Sequence, residues 1–85
     1  MKICLRELQS GETGTVVGYA KGALAYRERL LAMGLTRGTQ FTVKRVAPLG
    51  DPVEISVRGF ALSLRKDEAA VVMVDRIEHK EEGTA

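Results

Sequence analysis

Tryptophan is absent, histidine and cysteine occur once each, and only Tyr19, Tyr26, Phe41 and Phe60 are aromatic. Catalysis needs titratable groups that converge. Here His79 and Cys4 stand near opposite ends of the chain, so Cys4 reads as a small buried hydrophobe. One His, one Cys and scattered carboxylates hold no ligand pair at the spacing of a zinc or calcium site. A lone cysteine offers no internal disulfide, which fits a reducing interior. No apolar run approaches the roughly 20 residues of a membrane helix. Met1-Lys2-Ile3-Cys4-Leu5-Arg6-Glu7 reaches a charge within a few residues and holds no signal-peptide core. Gly11-Glu12-Thr13-Gly14 lacks the Gly-Lys-Ser/Thr ending of a P-loop and leads into a strand. These deficits predict a cytoplasmic protein with no catalytic residues, no metal site, no cofactor and no direct insertion into a membrane.

What is present suits one small domain. Eighty-five residues, 45% hydrophobic and 28% charged, have the composition of a globular protein. At this length folding buries only about 60–65% of the unfolded chain's surface, so the core is thin. The net charge is +2; Glu78, Glu81 and Glu82 against Lys80 make the segment from Glu78 −2, which leaves the body at +4. That is well short of the dense basic stripe of a dedicated nucleic-acid binder, and it leaves binding to an acidic protein surface open.

One stretch has a helical period. At about 100° per residue, Ala23, Tyr26, Leu30 and Met33 share an apolar arc that Leu24 and Leu31 widen. Ala25, Glu28, Arg29 and Ala32 take the remainder. Arg27 falls inside the apolar arc, between Leu30 and Leu31. Gly34 follows at the C′ position that commonly ends a helix. So short an amphipathic helix cannot stand alone in water, and it is expected to lie on a sheet.

The remainder alternates or turns. Thr15 to Tyr19 reads as a strand with a bulge or bend at Gly18. Thr39 to Val46 follows, with Phe41 and Val43 on one face and a bulge near Arg45. Ala47 to Pro52 is a loop stiffened by two prolines. Val53 to Val57 and Phe60 to Leu64 flank Arg58-Gly59, the signature of a hairpin with a primed turn. That hairpin places Val53, Ile55 and Val57 on the same side as Phe60, Leu62 and Leu64. Arg65 to Ala70 reads as a polar corner with one turn of helix, its Asp67 and Glu68 solvated, and Val71 to Val74 as a buried closing strand. The fold expected is mainly β: a small SH3-like, partly open antiparallel barrel of about five strands with one α-helix. Residues 1–77 form the domain and 78–85 a flexible tail.

Several features suit recognition. Arg27 either packs its stem and bonds at the barrel rim or is presented to a partner, and Arg29 lies on the polar side. The loop between the prolines offers Leu49 and Asp51 at its tip, and a stiff loop loses little entropy on binding. Arg58, Arg65 and Lys66 flank the hairpin as edge-protecting charges or as contacts for an acidic partner. The candidate partner-binding set is Arg27, Arg29, Met33, Leu49, Asp51 and Arg58.

Tyr-Arg-x-Arg-Leu-Leu-x-Met-Gly-Leu at 26–35, Gly38, Arg45-Val46-Ala47-Pro48-Leu49-Gly50-Asp51-Pro52, and the hairpin ending in Leu64-Arg65 together resemble the FeoA family, the small A component of bacterial ferrous-iron transport. The resemblance runs from about residue 5 to 77. It implies a cytosolic accessory or regulator working beside a FeoB-type membrane permease, docked on that permease's GTP-binding part. A related barrel forms the C-terminal domain of DtxR-type metal-dependent repressors, and no winged helix precedes it here. The alternatives are therefore a nucleic-acid-binding barrel or a stand-alone relative of that repressor domain. An exposed edge strand would also favour a homo-oligomer.

Overall fold

In a computed structural model, which describes residues 2–77, the chain forms one six-stranded antiparallel sheet. Its strands are β1 (Lys2–Cys4), β2 (Thr13–Tyr19), β3 (Gln40–Val46), β4 (Val53–Val57), β5 (Phe60–Leu64) and β6 (Val72–Ile77). They lie in the order β1-β6-β2-β3-β4-β5. A 3-10 turn (Leu5–Glu7) follows β1, α1 (Leu24–Ala32) joins β2 to β3, and α2 (Lys66–Val71) joins β5 to β6. The two edge strands are β1 and β5, and α2 touches both as well as the 3-10 turn. The barrel is thus partly open, with a short helix across the opening.

Local chemistry accounts for most of these elements. Val17 bulges out of register between Val16↔Val74 and Gly18↔Met73, and a second shift separates Val43↔Ile55 from Arg45↔Glu54. Both bends fall where the alternation of apolar residues breaks. Gly14 is buried against the ring of Phe41: a Cβ there would lie 2.9 Å from Phe41 Cζ and 3.2 Å from the Asp75 carbonyl oxygen. Arg58 and Gly59 both have positive φ (53° and 84°), which closes the β4–β5 hairpin as a primed turn. At the end of α1, the Gly34 N–H donates to Leu31 O and the Leu35 N–H to Leu30 O. This is a Schellman ending, and Leu30 and Leu35, the two residues it brings together, are fully buried.

Three expectations change. A sixth strand, β1, adds to the five; at three residues it is too short to show alternation, and its evidence is pairing with β6 at Ile3↔Val74. The helix does not lay a full apolar face on the sheet. Leu30 enters the core and Met33 is half-buried, but Leu24 is 72% and Tyr26 37% exposed, and Arg27 is exposed with them. Arg27 is therefore not held inside an apolar arc: α1 packs chiefly on α2 and meets the core at its C-terminal end. Glu68, expected to be solvated, is 2% exposed. Its Oε1 accepts the Arg65 N–H at 2.9 Å and its Oε2 lies 3.3 Å from Arg29 Nη1.

Candidate docking surface and cationic cleft

The hairpin and the end of α1 build an apolar groove. Val57 pairs with Phe60 across the tip, Ile55 with Leu62 and Val53 with Leu64. Leu64 is fully buried, Leu62 half-buried and Phe60 72% exposed. The side-sharing expected of the two strands is present as pairing, but Phe60 is not in the core although Val57 opposite it is, because β5 is the edge strand. Phe60, Ala61 and Leu62 face Met33 and Gly34 across a groove of about 320 Å³, with Arg58 at the rim. An exposed phenyl ring beside an edge strand is an unusual use of a large apolar group, since such patches mark contact sites when they cluster.

A second, larger concavity of about 520 Å³ opens beside the β2–α1 connection and runs along α1 as far as Leu31. Lys21, Arg27 and Arg37 line it, with no acidic side chain among its walls. The two ion pairs among the described residues, Arg29–Glu68 and Arg76–Glu12, lie elsewhere. Tyr19 forms part of the wall, its hydroxyl donating to Leu35 O at 2.6 Å. Burial pushes its phenol pKa up, against the opposing pull of the Arg27 charge.

The six candidate residues do not share one surface. Met33 and Arg58 meet in the apolar groove, while Arg27 belongs to the cationic cleft. Leu49 stands 87% exposed in the β3–β4 loop, at the opposite end of β4 from Arg58. Asp51 and Arg29 have internal duties: Asp51 Oδ1 accepts the Lys66 N–H at 3.2 Å, and Arg29 pairs with buried Glu68, so both steady α2. Sequence reasoning missed Phe60 as a surface residue and Lys21 and Arg37 as companions of Arg27. No local signal marked Phe60, because Val57 beside the same turn is buried and the edge position of β5 is set by the order of the whole sheet.

Nothing in these walls is arranged for bond-making chemistry. Cys4 is half-buried, its Sγ 3.3 Å from Glu7 Oε2; burial first, then that carboxylate, push the thiol pKa up and keep it protonated. The Cys4 N–H, foremost, holds Glu7 below the ordinary carboxylate range. Among the described residues no three His, Cys, Asp or Glu side chains group as a metal site, and no helix is long and apolar enough to cross a membrane. His79 and the predicted tail lie outside the described residues.

A family model for the FeoA domain matches residues 3–76. A fusion of Fe(2+) transport protein A with the Fe(2+) transporter FeoB, from Porphyromonas gingivalis, is 37% identical over 73 residues. The match covers 86% of this chain and 8% of that protein, so the chain spans a small part of it. A FeoA-like protein of Clostridium acetobutylicum, solved by NMR, is 34% identical with a TM-score of 0.83, over 96% of this chain and 95% of its own. The zinc complex of Stenotrophomonas maltophilia FeoA, a prokaryotic SH3 domain protein, is 26% identical with a TM-score of 0.74, over 86% and 89%. A manganese-dependent transcriptional repressor shares the fold alone: 14% identity and a TM-score of 0.82, over 89% of this chain and 41% of that one. With the family model spanning the barrel from β1 to β6, the chain belongs to the FeoA family of bacterial ferrous-iron transport and carries its SH3-like fold.

Proposed function

We propose that this chain is a non-catalytic docking module that binds the cytosolic GTP-binding part of a FeoB-type permease through the groove between β5 and the end of α1. The observation that carries this reading is Phe60, 72% exposed on an edge strand and opposite Met33. The fused Porphyromonas gingivalis relative, which joins such a domain to FeoB in one polypeptide, supports the choice of partner. An extended segment of the permease adds to the free edge of β5, where main-chain hydrogen bonds supply affinity and side-chain pockets supply specificity. Phe60 and Met33 then form the dry centre of the contact, with Arg58 at its polar rim. Leu49 and Asp51 are not needed for this contact.

The nucleic-acid alternative finds less support in the arrangement. Stacking platforms place aromatic faces beside cations. Here the most exposed aromatic, Phe60, lines a groove whose one cation is Arg58, while the three clustered cations line the cleft with Tyr19, whose hydroxyl is committed to Leu35.

The test is an NMR titration of isotope-labelled chain with the isolated cytosolic domain of the permease, nucleotide-free and with GDP or a GTP analogue. Shifts confined to Met33, Gly34 and residues 58–62 are expected. A footprint on the 47–52 loop instead, or none when the full-length permease is the titrant, contradicts the reading.

A further inference from the structure

We infer that the cleft at the start of α1 is a binding site for a soluble organic phosphate of nucleotide size. The charge is the first argument. Lys21 comes from the β2–α1 connection, Arg27 from the helix and Arg37 from the turn before β3, so three separate segments bring cations to one wall. Like charges repel, and no acidic side chain lines the cleft to offset them. Among the described residues neither ion pair involves any of the three. A site of net +3 lining charge is matched by a ligand bearing two or three phosphates, and guanidinium groups bind phosphate oxygens in a two-pronged geometry.

Size and polarity are the second argument. A cleft of about 520 Å³ falls within the range of small-molecule sites, about 300–1,000 Å³, and exceeds what a bare phosphate fills. Its cations are three of the ten lining residues. Leu24 and Leu31 of α1 contribute an apolar wall, and Leu24 is 72% exposed, a position with no role in the core. An amphipathic anion uses both kinds of wall: phosphates on Arg27, Arg37 and Lys21, and its organic portion against Leu24. The cleft runs along α1 from Leu24 to Leu31 and shares no lining residue with the docking groove. The two readings therefore fail independently.

The experiment is a chemical-shift titration of the full chain with ATP in the presence of EDTA, with adenosine, pyrophosphate, sulfate and phosphatidylglycerol vesicles in parallel. Saturable shifts at Gly18, Lys21, Gly22 and Leu24 are expected with ATP, at a Kd in the millimolar range or tighter, ~1 mM or below. Pyrophosphate binds the same residues more weakly, and adenosine does not bind. Arg27→Gln and Arg37→Gln each weaken ATP at least about tenfold, a loss of roughly one contact's worth of affinity, while Phe60→Ala leaves it unchanged. Both variants are at exposed positions, and their amide spectra report whether the fold is intact. Absence of saturation, persistence of the shifts in both Arg variants, or equal shifts with sulfate (an adventitious ion only) would overturn the inference. Binding to the vesicles in place of ATP would overturn it in favour of a membrane surface.

Discussion

Strands β4 and β5 have nearly the same pattern of apolar and polar residues and opposite fates. In Val53-Glu54-Ile55-Ser56-Val57 all three apolar residues are buried; in Phe60-Ala61-Leu62-Ser63-Leu64 only Leu64 is. The difference is place. β4 has a neighbour on each side, β3 and β5, whereas β5 has only β4. An apolar residue in a central strand is a statement about stability. The same residue on a free edge is available for recognition, and a cell tolerates it only where a partner or a device covers it. In the FeoA fold seen here, Phe60 is that residue.

Mutations at paired positions sharpen this contrast. Ile55→Ala empties a fully buried site and should cost about 2–5 kcal/mol in urea unfolding. Phe60→Ala, at the hairpin tip, should cost less than about 1 kcal/mol by the same assay. Equal losses would mean that both strands belong to the core. Loosening the anchorage of the helix that follows β5 comes next in size. Glu68→Ala deletes the acceptor for the Arg65 N–H and the partner of Arg29, a charged hydrogen-bonding group whose loss should cost about 2–3 kcal/mol. Glu68→Gln, which retains the acceptor, should lose less.

The turn joining the two strands gives a gain. Arg58 holds φ at 53°, a conformation that residues other than Gly, Asn and Asp adopt at a cost. Arg58→Asn creates the Asn-Gly pair favoured in such turns and should stabilise the hairpin by about 0.5–1 kcal/mol. A smaller effect lies at the other edge of the sheet. Glu7, held below its ordinary pKa by the Cys4 N–H, contributes stability above its unfolded pKa and loses it as pH falls through the folded value. Glu7→Gln should therefore lower the neutral plateau and flatten the acid limb of the stability profile, leaving stability at low pH little changed.

Local signals were legible where local physics decides. Gly34 as the helix end, Arg58-Gly59 as a primed turn, and the breaks in alternation near Gly18 and Arg45 all depend on a few adjacent residues. The features that escaped depend on distant ones. Glu68 looked solvated because the residue that pairs with it, Arg29, lies on another helix. Asp51 looked like a loop tip because the N–H it accepts belongs to Lys66. The helical wheel placed Arg27 among apolar residues correctly as an angle, but only the far end of α1 reaches the core, so the angle did not set its burial. Phe60 obeyed its alternation and was still exposed, because alternation gives the face of a strand and not where the sheet stops.

The central claim is that the edge-strand groove, and not merely any exposed apolar group, is what the permease recognises. Leu49 supplies the control, being 87% exposed at the other end of β4. The decisive measurement is calorimetric titration of the permease's cytosolic domain with the parent chain, Phe60→Ala and Leu49→Ala. The account predicts at least about a tenfold weaker Kd for Phe60→Ala, the loss expected of a central contact residue, and an unchanged value for Leu49→Ala. Loss of affinity with Leu49→Ala while Phe60→Ala binds as the parent does would contradict it.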